Sequence, residues 1–306
     1  MNGALHGVVT PLLTPFLADG TIAQNLFDAH AAQCLSEGSH YLAPFGTTGE
    51  ATSIGMAARQ DALERLLTSQ NVQPNQLMPG TGLNAVQDTA ALTRHAVGLG
   101  VAAVLLLPPF YYKNADEDGL YRYVATLIET VADDRLRIVL YHIPKFTGTG
   151  FSPAITRRLA LDYPGIVAGY KDSSGQWMNT AQILRAAPDL AVFPGSESFL
   201  PQALAAGGAG CISASCNVNV AAIRAVYDAL KAGENDKAKD RILEIEYVRQ
   251  QLEGAGLIAA SKAILALRTG QTDWLRCLPP LSDATAELSP ALRDIARGQM
   301  SEISAK

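Results

Sequence analysis

Short apolar, β-branched runs alternate with helix-like stretches along most of this chain, and that alternation limits the fold more than any other feature. The strand-like runs fall at 7–13, 41–45, 76–80, 102–107, 137–141, 166–170, 191–194 and 210–213. Each gives way to a glycine- or proline-marked turn and then to a segment long enough for a crossover helix. Several of those segments keep three- and four-residue apolar spacing, as in Leu26, Ala29, His30 and Gln33, or Leu120, Val124, Leu127 and Ile128. Asn84 and Ser152-Pro153 read as helix starts, the second with proline at the first helical position. Alternating strands and helices predict a parallel sheet buried on both faces. Eight such units fit an α/β (β/α)8 TIM barrel better than an open sheet. Beyond Ser213 only helical patterns occur, at 221–231, 236–252, 259–268 and 290–297. The expected organisation is a barrel over 1–225 and a C-terminal helical extension over 226–306.

In such a barrel the chemistry sits on the loops after the carboxyl ends of the strands. Here those loops carry Gly46-Thr47-Thr48-Gly49-Glu50, Gly80-Thr81-Gly82 and Pro108-Pro109-Phe110-Tyr111-Tyr112. They also carry Tyr141-His142-Ile143-Pro144, Lys171-Asp172-Ser173-Ser174, Gly195-Ser196-Glu197 and Ser213. Hydroxyls, one lysine and glycine-rich turns are thereby expected along one rim.

Lys171 is the sharpest of these residues. The chain has eight lysines, and this one directly follows the apolar run Ile166-Val167-Ala168-Gly169-Tyr170. A strand-end lysine ordinarily points to water. An ammonium held among apolar walls instead loses hydration, which favours the neutral amine, a nucleophile towards carbonyls. Tyr141 closes another apolar run, so its phenol is expected at the rim, where it could pass protons; a half-buried core tyrosine is the plainer alternative. The Gly46-Thr47-Thr48-Gly49 turn offers hydroxyls and backbone N–H groups suited to a carboxylate or phosphate, and reads equally well as an ordinary turn. Glu50 could act as a base but is better explained as a structural acceptor for loop N–H groups or as an acid at a helix N-terminus. Tyr111 and Tyr112 fit either a substrate loop or a subunit contact.

Composition removes several function classes. Hydrophobic residues make up 48% of the 306 residues and charged ones 17%, enough for a large core. A net charge of −5 leaves no basic excess to displace counterions from a nucleic acid. No 18-residue apolar run predicts a membrane span, and the first residues lack the basic start of a signal peptide. Cys34, Cys211, Cys216 and Cys277 form no CxxC pair and read as a reduced, cytoplasmic thiol set. The five histidines are scattered, so no protein-built metal centre is expected. Gly80-Thr81-Gly82-Leu83-Asn84-Ala85 loosely fits a dinucleotide fingerprint, but the stretch 95–103 lacks an acid for a ribose.

The residues now assembled resemble the dihydrodipicolinate synthase / N-acetylneuraminate lyase family of Schiff-base-forming class I aldolases. The resemblance runs through Gly46-Thr47-Thr48-Gly49-Glu50, Pro109-Phe110-Tyr111-Tyr112, Tyr141-His142-Ile143-Pro144-Lys145-Phe146-Thr147-Gly148 and Gly169-Tyr170-Lys171-Asp172-Ser173. It continues through Gly195-Ser196-Glu197 and Gly210-Cys211-Ile212-Ser213 into the helical tail. It implies that Lys171 forms an imine with pyruvate or a pyruvate-derived 2-oxo acid, that Tyr141 shuttles protons, and that the Thr47-Thr48 turn holds the carboxylate. It also implies a tyrosine from a neighbouring subunit, Tyr111 or Tyr112, a homotetramer built as a dimer of dimers, and no metal or organic cofactor. The substrate-facing set is then Gly46, Thr47, His142, Phe146, Ser173, Gly195, Glu197 and Ser213, around the catalytic Lys171, Tyr141 and Thr48. The expected partners are a 2-oxo acid and an aldehyde.

Two departures bear on which member this is. Dihydrodipicolinate synthases place an arginine two residues after the proline of a Tyr-Asn-x-Pro motif, where it grips a second carboxylate; here that position is Phe146, and the asparagine is His142. Where the sialic acid lyase has a second acid after the Glu197 position, this chain has Ser198. The expected reaction is therefore C–C bond cleavage or formation between a 2-oxo acid and a smaller or less hydroxylated aldehyde. Dihydrodipicolinate synthase proper, a dehydratase using the same imine, and a non-catalytic 2-oxo-acid-binding homologue are the alternatives.

Overall fold

The computed structural model describes residues 5–69 and 71–298. Seven strands occur among them: β1 Gly7–Thr10, β2 Tyr41–Leu42, β3 Val104–Leu106, β4 Ile138–His142, β5 Val167–Asp172, β6 Ala191–Pro194 and β7 Gly210–Ile212. Helices separate nearly all of them, so the chain alternates strand and helix as expected of the α/β class. Two compact units are formed, Met1–Gly7 with Gln73–Ile212, and Val8–Val72 with Ser213–Lys306.

In the first unit β3, β4, β5 and β6 lie side by side in sequence order, all parallel. Their residues are almost wholly buried, as continuous Val/Ile/Leu runs covered on both faces must be. The expected strand at 76–80 is not continuous, because Pro79 has no N–H to give to a ladder. The segment still runs beside β3: Ala102 N donates to Leu77 O at 2.9 Å, Leu105 N to Pro79 O at 2.9 Å, and Thr81 N to Leu105 O at 3.1 Å. β5 extends two residues beyond its expected end, since Tyr141 and His142 of β4 pair with Lys171 and Asp172. Lys171 is thus part of the strand, held by the ladder on both sides.

The crossover helices show ordinary local logic. Asp116 caps helix Glu117–Val131 by accepting from Gly119 N at 2.7 Å, and the helix buries Leu120, Val124, Leu127 and Ile128. Ser152 caps Pro153–Asp162 through Ile155 N, as its sequence predicts. Asn84 does not cap helix Val86–Gly98; its Oδ1 accepts from Phe110 N and Tyr111 N at 2.8 and 2.9 Å.

In the second unit β1 pairs with β2, Val9 opposite Tyr41. Pro11 ends β1 short of its expected reach. Helix Gln24–Ser36 buries Phe27, His30, Ala31 and Cys34, so its inner face is rotated by a residue from the expected one and Ala29 and Gln33 are exposed. No strand follows Ile212 among the described residues; helices Cys216–Lys231, Asn235–Gly254, Leu257–Thr269 and Pro290–Arg297 do. Val248, Leu252, Ile264, Trp274, Leu292 and Ile295 pack there into one core with Leu13. Truncating a buried leucine of such a cluster to alanine costs about 2–5 kcal/mol. No described helix is long and apolar enough to cross a membrane, and all four cysteines are free thiols.

Candidate active site

Lys171 is the penultimate residue of β5 and only 3% exposed. Its ladder neighbours are Tyr141 on β4 and Phe193 on β6. Its Nζ stands 4.0 Å from the centroid of the Tyr141 ring, over a face whose π-electrons attract a cation. Tyr141 is itself buried, packed with Leu107 and Ile143. The sequence-predicted pair is therefore in contact, with both backbones fixed by parallel ladders rather than loops.

The next residue, Asp172, was not singled out from sequence and accounts for much of this rigidity. Alternation along the strand turns its side chain away from that of Lys171. Its buried carboxylate accepts from Ser174 N at 2.9 Å, Asn179 Nδ2 at 3.0 Å and Thr180 Oγ1 at 2.6 Å. Those bonds tie the end of β5 to helix Trp177–Ala186. Ser173 N donates to His142 O at 2.7 Å, and Gly195 N to Asp172 O at 2.6 Å. Gly195 packs closely here, since a Cβ would lie 2.2 Å from Ser173 Oγ, displacing that hydroxyl, and 3.1 Å from Asp172 O. Ser173, Gly195 and His142 are thereby assembled at the same strand ends as Lys171.

His142 stacks on Tyr170 with ring centroids 5.9 Å apart. Burial lowers its pKa, and the Asp172 charge opposes the shift. Its Nδ1 is buried without a hydrogen-bond partner, facing Gly150, where a Cβ would come within 2.2 Å. Glu197 is fully buried at the start of the short turn Glu197–Phe199.

Tyr111 and Tyr112 are 73% and 71% exposed, edge to face at 5.3 Å, and Phe146 is 61% exposed on the short helix Pro144–Thr147. These aromatics are not slack. Asn84 holds the Tyr111 backbone, and Lys113 Nζ donates to Phe110 O at 2.6 Å, Phe146 O at 3.4 Å and Thr147 O at 3.1 Å. Neither Asn84 nor Lys113 was legible as an anchor, because both act on carbonyls and N–H groups that no side-chain pattern marks.

The remaining predicted residues belong to the second unit. In the 46–50 turn, Gly49 N and Ala51 N both donate to Gly46 O, at 3.1 and 3.2 Å, and Glu50 N to Thr47 O at 3.2 Å. Thr48 is buried, and Thr14 Oγ1 donates to Gly49 O at 2.9 Å. A Cβ on Gly46 would meet nothing within 4 Å, whereas one on Gly49 would lie 2.7 Å from Leu12 O. Glu50 is the structural acceptor that its sequence context predicts: Leu278 N donates to Oε2 at 2.8 Å. Its second partner, Lys262, was missed. Ser213 is fully buried, and its Oγ accepts from Arg249 Nη1 at 2.9 Å. Among the described residues no three His, Cys, Asp or Glu side chains cluster as metal ligands would.

Comparison with known proteins places this fold, with a buried lysine beside a phenol at its strand ends, in a family. Residues 4–299 match the model of the dihydrodipicolinate synthetase family. An uncharacterized DapA-like lyase from Chloroflexus aurantiacus is 33% identical over 297 residues, covering 96% of this chain and 98% of its own. A 4-hydroxy-tetrahydrodipicolinate synthase from Symbiobacterium thermophilum is 31% identical over 297 residues, covering 94% and 96%. The crystal structure of dihydrodipicolinate synthase from Agrobacterium tumefaciens superposes with a TM-score of 0.82 at 32% identity, covering 96% of this chain and 98% of that one. The fold is accordingly the (β/α)8 barrel with a C-terminal helical region. The chain belongs to the dihydrodipicolinate synthetase family and is an enzyme of its lyase class.

Proposed function

We propose that the protein is a Schiff-base aldolase in which Lys171 binds pyruvate, or a 2-oxo acid built on pyruvate, and a C–C bond to an aldehyde is broken or made. The observation that carries this reading is the buried Lys171 amine over the Tyr141 ring on two locked strands. The amine adds to the ketone carbon, the carbinolamine loses its hydroxyl as water, and a protonated imine results. That cation is an electron sink. Tyr141, left as a phenolate after giving its proton to the departing carbinolamine hydroxyl, then takes the proton of a 4-hydroxyl; the C3–C4 bond breaks, the aldehyde leaves, and the electron pair passes to nitrogen as an enamine. Protonation at C3 and addition of water release pyruvate and regenerate Lys171. The reverse sequence makes the bond. Fixed geometry and preorganised donors supply much of the acceleration in such sites.

The other roles follow from family resemblance. Thr47 and Thr48, with Gly46, take the carboxylate; Ser173, Gly195, Glu197, Ser213, His142 and Phe146 face the rest of the substrate. Tyr111 or Tyr112 completes the proton relay of a neighbouring subunit in a homotetramer, which suits two tyrosines exposed yet held in place. A barrel at 1–225 with a helical extension at 226–306, and a cytoplasmic location consistent with four free thiols, belong to the same reading.

Phe146 favours an aldolase over dihydrodipicolinate synthase proper, because an exposed ring offers no fork for a second carboxylate. A dehydratase using the same imine is distinguished by product, since it releases no pyruvate. The direct test is borohydride reduction of the protein with pyruvate, followed by peptide mapping. An adduct on Lys171 is expected; absence of any adduct, or one on another lysine, defeats the proposal. A panel of 4-hydroxy-2-oxo acids assayed for pyruvate release then identifies the aldehyde, and pyruvate binding without turnover of any of them would favour a binding homologue.

A further inference from the structure

Lys262 is the second buried lysine among the described residues, and the imine chemistry does not use it. It lies in helix Leu257–Thr269 among Ala260, Ala263, Ile264 and Leu265. Both Lys262 and Glu50 have fully buried side chains, and they form an ion pair across 212 residues of sequence. Lys262 Nζ also donates to Arg276 O at 2.6 Å and stands 4.6 Å from the centroid of the Phe16 ring. Both carboxylate oxygens of Glu50 are engaged, one by Lys262 and the other by Leu278 N–H.

Stability alone is a weak reason for this arrangement. Replacing a buried ion pair with apolar groups of similar volume is often neutral or stabilising, because desolvation offsets the attraction. What the pair grips is more telling. Glu50 has φ 57° and Phe45 φ 58°, two of the three left-handed non-glycine residues among the described ones, and they bracket Gly46-Thr47-Thr48-Gly49. Such conformations cost about 1–3 kcal/mol each and persist only where the surroundings over-determine them. A second buried cation supports the next residues: Arg59 donates to Ala51 O, and through Nε to Ile54 O at 3.0 Å.

We infer that Lys262, acting through Glu50, is a positioning residue that holds the Gly46-Thr47-Thr48-Gly49 turn in its carboxylate-binding conformation, so that the C-terminal helical region sets affinity for the 2-oxo acid. The inference rests on the carboxylate role proposed above for that turn. It separates carboxylate binding from imine formation: without the clamp the turn relaxes from its strained geometry, while Lys171 and Tyr141 keep their own.

The test uses the full chain carrying Glu50→Gln, Lys262→Met, or both. The rate of borohydride trapping is measured against the concentration of pyruvate and of hydroxyacetone, a ketone without a carboxylate. Glu50→Gln keeps the shape of the side chain and an acceptor for Leu278 N–H, and the double variant leaves no unpaired buried charge. The double variant reports even where a single variant does not fold. Half-saturating pyruvate is expected to rise about tenfold or more, the maximal trapping rate to stay within threefold, and half-saturation by hydroxyacetone to stay unchanged. The inference is overturned if folded variants keep half-saturating pyruvate within twofold of the parent, or if both ketones weaken alike. Should the parent chain give no adduct at all, the Schiff-base reading has failed instead. The clamp is then judged by calorimetric pyruvate affinity of parent and variants, with the same tenfold and twofold limits.

Discussion

Gly49→Ala tests whether the proposed carboxylate turn depends on close backbone approach. An added Cβ would lie 2.7 Å from Leu12 O, 3.2 Å from Thr14 Oγ1 and 3.3 Å from Phe45 N. Carbon normally keeps about 3.5 Å from such atoms, so the methyl demands a shift of roughly 0.5–1 Å. Little nearby can yield. Leu12 is tied to Ala43 O through its own N–H, and Thr14 is bound to Gly49 O. Overpacking of this kind costs about 1–3 kcal/mol, which for a chain of this size corresponds to a melting temperature lower by about 2–5 °C. Gly46→Ala is the matched control, since its Cβ meets nothing within 4 Å and its backbone needs no left-handed φ. Scanning fluorimetry and pyruvate-dependent trapping on both variants give the answer. Gly49→Ala should melt early and need several-fold more pyruvate, while Gly46→Ala melts with the parent to within about 1 °C. If Gly49→Ala keeps both parental stability and parental pyruvate dependence, the turn does not rely on that approach and the reasoning is wrong.

Tyr141→Phe keeps the ring beside Lys171 but removes the phenol, so turnover should fall by about 10²–10⁴ with the fold unchanged; turnover within tenfold of the parent would exclude Tyr141 as proton carrier. Asp172→Asn turns an amide N–H towards donors that now share one carboxylate, and should destabilise by about 2 kcal/mol or more in urea unfolding; an unchanged midpoint would show the network to be dispensable. His30, buried between Asn217 and Trp274, has its pKa pushed down to about 4 by burial. The unfolded chain then binds the extra proton between about pH 6.5 and 4, so stability drops as pH falls through that window, by about 3 kcal/mol in total. The stability gap between parent and His30→Leu should shrink by that amount from pH 7 to pH 4, and a constant gap would contradict it.

What could be read in the sequence was whatever has a local cause. Ala191–Pro194 and Pro290–Arg297 have the expected bounds because apolar runs and Ser-Pro starts announce themselves. Lys171 and Tyr141 were legible because each polar group interrupts or ends an apolar run, and a ladder then set them side by side. The misreadings share a different cause. Asn84 looks like a helix cap, but its acceptor is taken by backbone 26 and 27 residues away, which composition around it does not encode. At 76–80 the apolar pattern was right and the strand broken, because Pro79 changes the hydrogen-bond supply without changing hydropathy. Helix Gln24–Ser36 turned a residue from its expected face, since its alanines and leucines allow more than one apolar stripe. Lys262 is the instructive case. It interrupts an apolar helix much as Lys171 follows an apolar strand, and the same argument about a lysine among hydrophobic neighbours applied to both. Only Lys171 had a place at a strand end to give that argument a function. The partner of Lys262, 212 residues away in sequence, supplies the missing context, and a buried cation is explained only once its anion is known.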